Sequence, residues 1–565
     1  MLRRLLLTCL VIPVLAGNLL AEAPKKTTRE PVAVAYLASI DQVLDDIDYI
    51  VTAGGQPEVS QMVKGFITNL NNLEGIDRTK PVGAYAFMPL DLGGGKKDPD
   101  VVGFVPLTNI EALQKTAHQA SDALMKTARL GNVLSLEPTD KPNRYEFKTP
   151  DKTLFVLIDQ GHAFISQKSE LLDQPLPAPA ALTEVLAGQY DLVVQLRREG
   201  VPKLLWDLAL IGAMAASDKE LRTLEQSREP ENLAKVKGIK LARSAVTSVM
   251  SEVRSVWVGL KVSRESRTAV IDAKWQFTEK GKVALALTES SNGPSSLAKT
   301  ATADVPAAVH LHVTLPTDLR SLAAEGFRLA RAKKDPTESI PEPQRASVNS
   351  LIDVMEKTIA AGEADLLLQF AGEPQTGMTA VVGIHVEDGQ SLSESLQKLL
   401  PEAKSSDKVE SVTMDAGEAR GIHFARIDGK RGEEEEDGKK EELFYGGKPS
   451  LYIGTEASTL WLVVGDKGAL ADFASLADES PQTTARTTTA AFGQAHLHLS
   501  DWLGLLGLAP DQKTRDFTEA ARIAVKDPDR DALRFVVRPE SDGLRMTLTI
   551  DEAYLNLIGA AVGKK

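Results

Sequence analysis

Val32-Ala33-Val34-Ala35-Tyr36-Leu37 runs into a helical pattern through Ile40, Val43, Leu44 and Ile47, and Val309-His310-Leu311-His312-Val313 runs likewise into Leu319, Leu322 and Ala323. Each stretch is a short strand signal, a polar break and an apolar period near 3.6 residues. The likeness extends outward from these two starts. Val101-Val102-Gly103-Phe104-Val105 precedes a helix with Leu113-Gln114-Lys115, and Val381-Val382-Gly383-Ile384-His385 precedes one with Leu396-Gln397-Lys398. Leu154-Phe155-Val156-Leu157-Ile158 matches Leu451-Tyr452-Ile453, and Ala163-Phe164-Ile165 matches Leu460-Trp461-Leu462-Val463. Tyr190 to Leu196, with Trp206 beyond, matches Ala495 to Leu499, with Trp502 beyond; Val262-Ser263-Arg264-Glu265-Ser266 matches Val537-Arg538-Pro539-Glu540-Ser541. The order is kept while the offset drifts from about 275 to about 300 and back, as loop insertions would make it do.

The expectation is an α+β fold of two homologous repeats, residues 30–290 and 303–563, joined by a linker over 291–302 that follows on a Ser/Asn/Gly/Pro-rich stretch at 290–296. Strand–helix–hairpin modules begin near Val32, Asp191, Val309 and Ala495. Between residues 268 and 277 the alternation is plain: Ala269, Ile271 and Ala273 fall on one face, Thr268, Val270, Asp272 and Lys274 on the other. Such hairpins predict antiparallel or mixed sheets covered by helices on one face, in preference to a doubly wound parallel sheet.

With 43% hydrophobic and 25% charged residues in 565, the composition is that of a globular protein rather than a disordered or fibrous one. The net charge of −13 disfavours nucleic acid and anionic membranes as partners, since both are bound chiefly through Lys and Arg. An aromatic share of 5% offers little for stacking platforms. Residues 1–23 read as a secretory signal peptide: Arg3 and Arg4, an apolar stretch from Leu5 to Leu20, then Ala21-Glu22-Ala23. Cleavage there leaves 63 basic and 77 acidic residues, a charge of −14, in a periplasmic or extracellular protein. It also removes Cys9, the sole cysteine, so disulfides, thiolate catalysis and Cys-bound metals are ruled out for the mature chain. No later stretch predicts a membrane span; the most apolar, residues 204–216, is short, carries Asp207 and reads as a buried or amphipathic helix.

His310-Leu311-His312 and His496-Leu497-His498 are the sharpest local motifs. Alternation sets His310, His312 and Thr314 on one face of a strand and Val309, Leu311 and Val313 on the other. Two same-face imidazoles can chelate zinc or copper, and His310, His312, His496 and His498 are the candidate ligands. Against this stand the absence of a neighbouring Asp or Glu in either motif and the simpler reading of a solvent-facing polar side of a half-buried strand. The remaining candidates are blander. The glycine run 93–95 with Lys96-Lys97 lacks the spacing of a phosphate loop and reads as a hairpin loop. The acidic run 433–437 lacks calcium-loop spacing and reads as a solvated insertion. Ser395-Leu396-Gln397-Lys398 and Ser296-Leu297-Ala298-Lys299 fit Ser-x-x-Lys without its partner motifs. Asp45-Asp46 suits a helix start, and Trp206 and Trp502 suit core anchors.

The signal peptide and duplicated α+β units together resemble a class of uncharacterised exported bacterial proteins for which no function is established. That resemblance implies no catalytic residue. The expected function is therefore non-enzymatic: an exported binding or envelope structural protein without a resident cofactor, its ligand or envelope partner unknown and apolar in one reading. The alternative is a cryptic metal-dependent hydrolase using the His-x-His strands.

Overall fold

The structure, a computed structural model, describes residues 29–562 except 90–98, 117–134, 149–151, 227–228, 292, 294, 299, 302–303, 334–336, 338–339, 374–376, 431–440, 479–490, 508–510 and 526. The signal segment 1–23 with Cys9, the glycine run 93–95 with Lys96 and Lys97, Lys299 and the acidic run 433–437 lie outside the described residues. By internal contacts the chain divides into two compact units. One holds residues up to 216 with 250–278 and 555–565; the other holds 217–249 and 279–554.

The first unit is built on ten strands: β1 (Ala33–Leu37), β2 (Val82–Phe87), β3 (Asp100–Pro106), β4 (Ser135–Pro138), β5 (Arg144–Lys148), β6 (Thr153–Asp159), β7 (His162–Ser166), β8 (Leu192–Arg197), β9 (Val253–Ser263) and β10 (Thr268–Phe277). Their pairings give the order β10-β9-β8-β1-β2-β3-β7-β6-β5-β4, every neighbour antiparallel. The helix Ile40–Ala53 follows β1 where Ser39 caps it, the hydroxyl accepting from Gln42 N at 3.2 Å. One face of the sheet carries the aromatic core of Tyr36, Tyr85, Phe87, Phe104, Phe164, Tyr190 and Trp257. Leu182 and Leu186 of the helix Pro179–Ala187 pack on this cluster. The Tyr36 hydroxyl donates to Thr183 O at 3.2 Å and the Tyr190 hydroxyl to Asp272 Oδ2 at 2.7 Å, so the polar tips of buried rings are satisfied.

The second unit also has ten strands: β11 (Ala307–Thr314), β12 (Glu363–Glu373), β13 (Gly377–His385), β14 (Val409–Ala419), β15 (Ile422–Gly429), β16 (Ser450–Thr455), β17 (Thr459–Gly465), β18 (Gly493–His498), β19 (Ala532–Glu540) and β20 (Gly543–Asp551). Their order is β20-β19-β18-β11-β12-β13-β17-β16-β15-β14, again wholly antiparallel. Strand for strand this is the order of the first unit. The expected antiparallel-or-mixed sheet resolves to the antiparallel form throughout. Its core lies on one face, where Ala469, Phe473 and Leu476 of the helix Ala469–Asp478 close over Leu367, Val381, Phe424, Tyr452, Trp461 and Val463.

Coverage by helices is one-sided, and apolar side chains remain exposed on the other face. In the first unit Leu192, Val194, Leu196, Val258 and Trp275 project from the other face and are 37–56% exposed. In the second unit Val309, Leu311, Leu366 and Phe535 are exposed in the same way. The apolar stretch at 204–216 is helical, as expected, but not buried: Leu204, Leu208 and Ile211 of the helix Lys203–Glu225 are exposed while Leu205, Trp206 and Leu210 are half-buried. No helix among the described residues is long and apolar enough to cross a membrane.

Trp461 tests how the second unit is held. It is fully buried directly across from Gly383, where an added Cβ would lie 2.7 Å from its ring. Trp461→Ala is expected to cost about 3–5 kcal/mol. Hydrogen exchange should show protection lost in β12, β13 and β17 with β1, β2 and β8 unchanged.

Candidate functional site

Register, not sequence proximity, assembles the polar site of the second unit. In β11 and β12, His312 pairs with Asp365 and Thr314 with Glu363. Directly paired residues of an antiparallel ladder share a face, so both carboxylates stand beside the histidines. The pairing of Leu366 with Ile384 carries His385, the last residue of β13, to the same place. These groups therefore come together from positions as much as 75 residues apart in sequence.

This face is the buried one. His310 and His312 are 7% and 2% exposed, whereas Val309 and Leu311 are 38% and 45% exposed. The reading of a solvent-facing histidine side is thus reversed. Alternation establishes that two faces exist; the chain packed above them decides which is covered. Here that chain includes residues 295–298. Asp365 Oδ2 accepts from Ser295 Oγ at 2.9 Å, Ser296 N at 2.8 Å and Leu297 N at 3.2 Å, while Asp365 Oδ1 meets His310 Nε2 at 2.9 Å. Burial opposes ionisation, but the bonds from His310, Ser295 and Leu297 prevail and hold the Asp365 carboxyl below the usual carboxylate range.

Ser295, His310 and Asp365 have the residue types of a hydrolase triad but not its wiring. Ser295 Oγ lies 3.0 Å from His310 Nε2, the same nitrogen that Asp365 engages. A triad needs the serine and the carboxylate on opposite ring nitrogens, so that the ring can relay a proton. Ser295 Oγ moreover accepts from Ala298 N at 2.9 Å, which marks it as a turn cap. Of the Ser-x-x-Lys motifs, Ser296 Oγ also bonds Asp365 and Ser395 Oγ bonds Ser391 O within its own helix.

A second cluster adjoins the first. His312 Nε2 stands 3.6 Å from Glu363 Oε1, and His385 Nε2 stands 3.9 Å from Glu363 Oε2 and 3.6 Å from Glu387 Oε1. His312 Nε2 and both ring nitrogens of His385 are buried without a hydrogen-bond partner. Donor atoms of His312, Glu363 and Asp365 all lie within 4.8 Å of one another.

His496 and His498 share the histidine face but form a separate group. His496 Nε2 donates to Val305 O at 3.0 Å, and burial pushes the ring below its ordinary pKa. His498 Nδ1 meets Asp531 Oδ1 at 2.8 Å, while Asp531 also accepts from Ser500 N at 2.6 Å. Of the four histidines singled out by sequence, only His312 belongs to the open donor cluster. Glu363, Asp365 and His385 escaped that reading; Glu363-Ala364-Asp365 carries the alternation that could have revealed the first two. The two tryptophans are half-buried, each indole N–H tied to a carbonyl: Trp206 to Met250 O at 2.8 Å and Trp502 to Pro306 O at 3.1 Å.

In the first unit Asp45 and Asp46 lie in the middle of the helix Ile40–Ala53 rather than at its start, where Asp41 stands instead. Burial and the neighbouring Asp191 raise Asp46 from 3.8 to about 7, against the pull of Lys261 and Arg264. The folded state therefore keeps a proton that the unfolded chain releases above about pH 4, so this group makes stability fall as pH rises from there to about 7. Asp46→Asn should flatten the decline in melting temperature between pH 5 and 8; an identical decline in the variant would assign it to other groups.

No known protein family, no curated protein and no solved structure matches this chain.

Proposed function

We propose that this is an exported, non-enzymatic binding protein, one α+β unit used twice, whose sheets take up an apolar ligand of the acyl-chain class on their open faces. The two identical strand orders support the duplication, because strands matched by sequence order, such as β6 with β16 and β8 with β18, hold the same place in each. A signal peptide at 1–23 supports export.

The observation that carries the binding reading is the open face of the first unit. Val194 pairs with Val258, and Leu196 with Val256, which in turn pairs with Trp275. These side chains thus form one continuous aliphatic surface rather than scattered residues. Contiguous exposed apolar patches mark binding surfaces, since isolated apolar residues are the norm elsewhere. Protein-binding hot spots draw on Trp, Tyr and Arg, and this face offers Leu, Val and Ala with a single Trp. Its chemistry suits a hydrocarbon chain better than a protein anchor. The polar site of the second unit lacks triad wiring, which favours binding over hydrolysis.

The test uses the purified mature protein, with organic extraction and mass spectrometry for co-purified lipid and a fluorescent fatty acid as the added probe. Leu196→Glu combined with Val258→Lys should weaken probe binding at least tenfold with the circular dichroism unchanged. Absence of lipid together with unaltered probe binding in the variant would overturn the reading. Loss of self-association in its place would reassign the face to a second copy of the chain.

A further inference from the structure

We infer that the second unit holds one divalent transition-metal ion, of the zinc class, between His312, Glu363 and Asp365, whose donor atoms lie within 4.8 Å of one another, with His385 completing the donor set from beside the other oxygen of Glu363. The inference stands apart from the acyl-chain reading.

Three observations carry it. First, the spacing is that of ligands rather than of hydrogen bonds. Imidazole–carboxylate pairs elsewhere in this unit close to 2.9 Å at His310–Asp365 and 2.8 Å at His498–Asp531. His312 and His385 stand off from Glu363 at 3.6 and 3.9 Å, too far to share a proton well. Two donors each about 2.1 Å from a tetrahedral ion lie roughly 3.4 Å apart, so small side-chain shifts bring both pairs onto one centre. Second, the imidazoles are otherwise idle. His312 and His385 are 97% and 90% buried in their side chains, and the nitrogens that face Glu363 have no hydrogen-bond partner. Buried polar atoms are almost always satisfied, and an ion would satisfy both rings at once. Third, the backbone closes tightly over the site: a Cβ added at Gly293 would lie 2.7 Å from Thr314 Oγ1, 3.2 Å from His312 Cε1 and 3.4 Å from His312 Nε2, so only glycine lets the chain pass this near the imidazole.

The remaining groups read as support. His310 donates to Asp365 and fixes its carboxylate, in the way outer partners orient metal-bound carboxylates. Nitrogen and oxygen donors without sulfur fit zinc and its neighbours rather than soft ions. The carboxylates of Glu363 and Asp365 supply the negative charge that a dication requires.

The experiment takes the full mature chain, strips it with a chelator and titrates ZnCl2 by calorimetry, with elemental analysis for stoichiometry. One equivalent should bind and raise the melting temperature by several degrees. His312→Gln, Glu363→Gln and His385→Gln should each weaken binding at least a hundredfold, whereas His496→Gln and His498→Gln should leave it unchanged. Co2+ added to the unaltered protein gives a readout independent of variant folding: intense tetrahedral visible bands support the site, and weak octahedral bands overturn it. No stoichiometric uptake, or uptake abolished by the His496 or His498 changes and not by the other three, would also overturn it.

Discussion

Asp365 is the pivot of the second unit. Its carboxylate is buried and accepts from His310 of β11 and from Ser295, Ser296 and Leu297 of the preceding segment. That grip sets Leu297, fully buried, into the core beside Trp461 and Leu367. A buried charge is tolerable only when its lone pairs are filled, so the geometry of one carboxylate dictates where residues 295–298 must run. Removing a partner would leave the charge uncompensated, and such losses cost about 3–5 kcal/mol.

The same device recurs along the chain. Asp100 is held by Arg29 and Lys168, and Asp191 by Gln42 and the Val262 amide. Asp531 is held by His498 and Ser500, and Asp551 by Arg534 and the Ala532 amide. Each of these ties joins segments separated in sequence, in a chain whose only cysteine is Cys9. Buried ion pairs add little net stability compared with apolar packing, but they penalise every wrong register heavily. In sheets of ten antiparallel strands that selectivity matters, because a slip of one residue would exchange the two faces.

That exchange of faces is also where sequence reading and structure part. Strands such as β1, β3, β6, β7, β10, β11, β13, β16 and β17 were legible, because alternation and break residues are local signals, whereas β2, β4, β5, β12, β14 and β15 and the order of strands within each sheet were not read. The burial of His310 and His312 was not, since Val309 and Leu311 look like the natural inward side. Apolar residues dominate one side of these strands, and what lies inside is decided by the helix Ala469–Asp478 and the segment 295–298, which sequence periodicity does not see. Glu363, Asp365 and His385 were hidden for a related reason: their nearness to His312 exists only through the ladder registers of β11, β12 and β13.

The outcome is a sheet with its usual polarity partly inverted, carrying charge and imidazole on the covered face and leucine and valine on the open one. Each side has a distinct physical demand. The covered histidines need a proton donor, an acceptor or a cation; among the described residues His312 Nε2 and both ring nitrogens of His385 make no hydrogen bond, with Glu363 and Glu387 standing 3.6–3.9 Å away. The open face needs something to exclude water from it, and the described residues leave Leu311 and Leu196 about half exposed. The net charge of −13 opposes self-association but does not cover such a surface. The two unmet demands differ in chemistry and point to two different occupants, a cation for the nitrogen and oxygen donors of the second unit and hydrocarbon for the open face of the first. Each can be added or withheld while the other is measured.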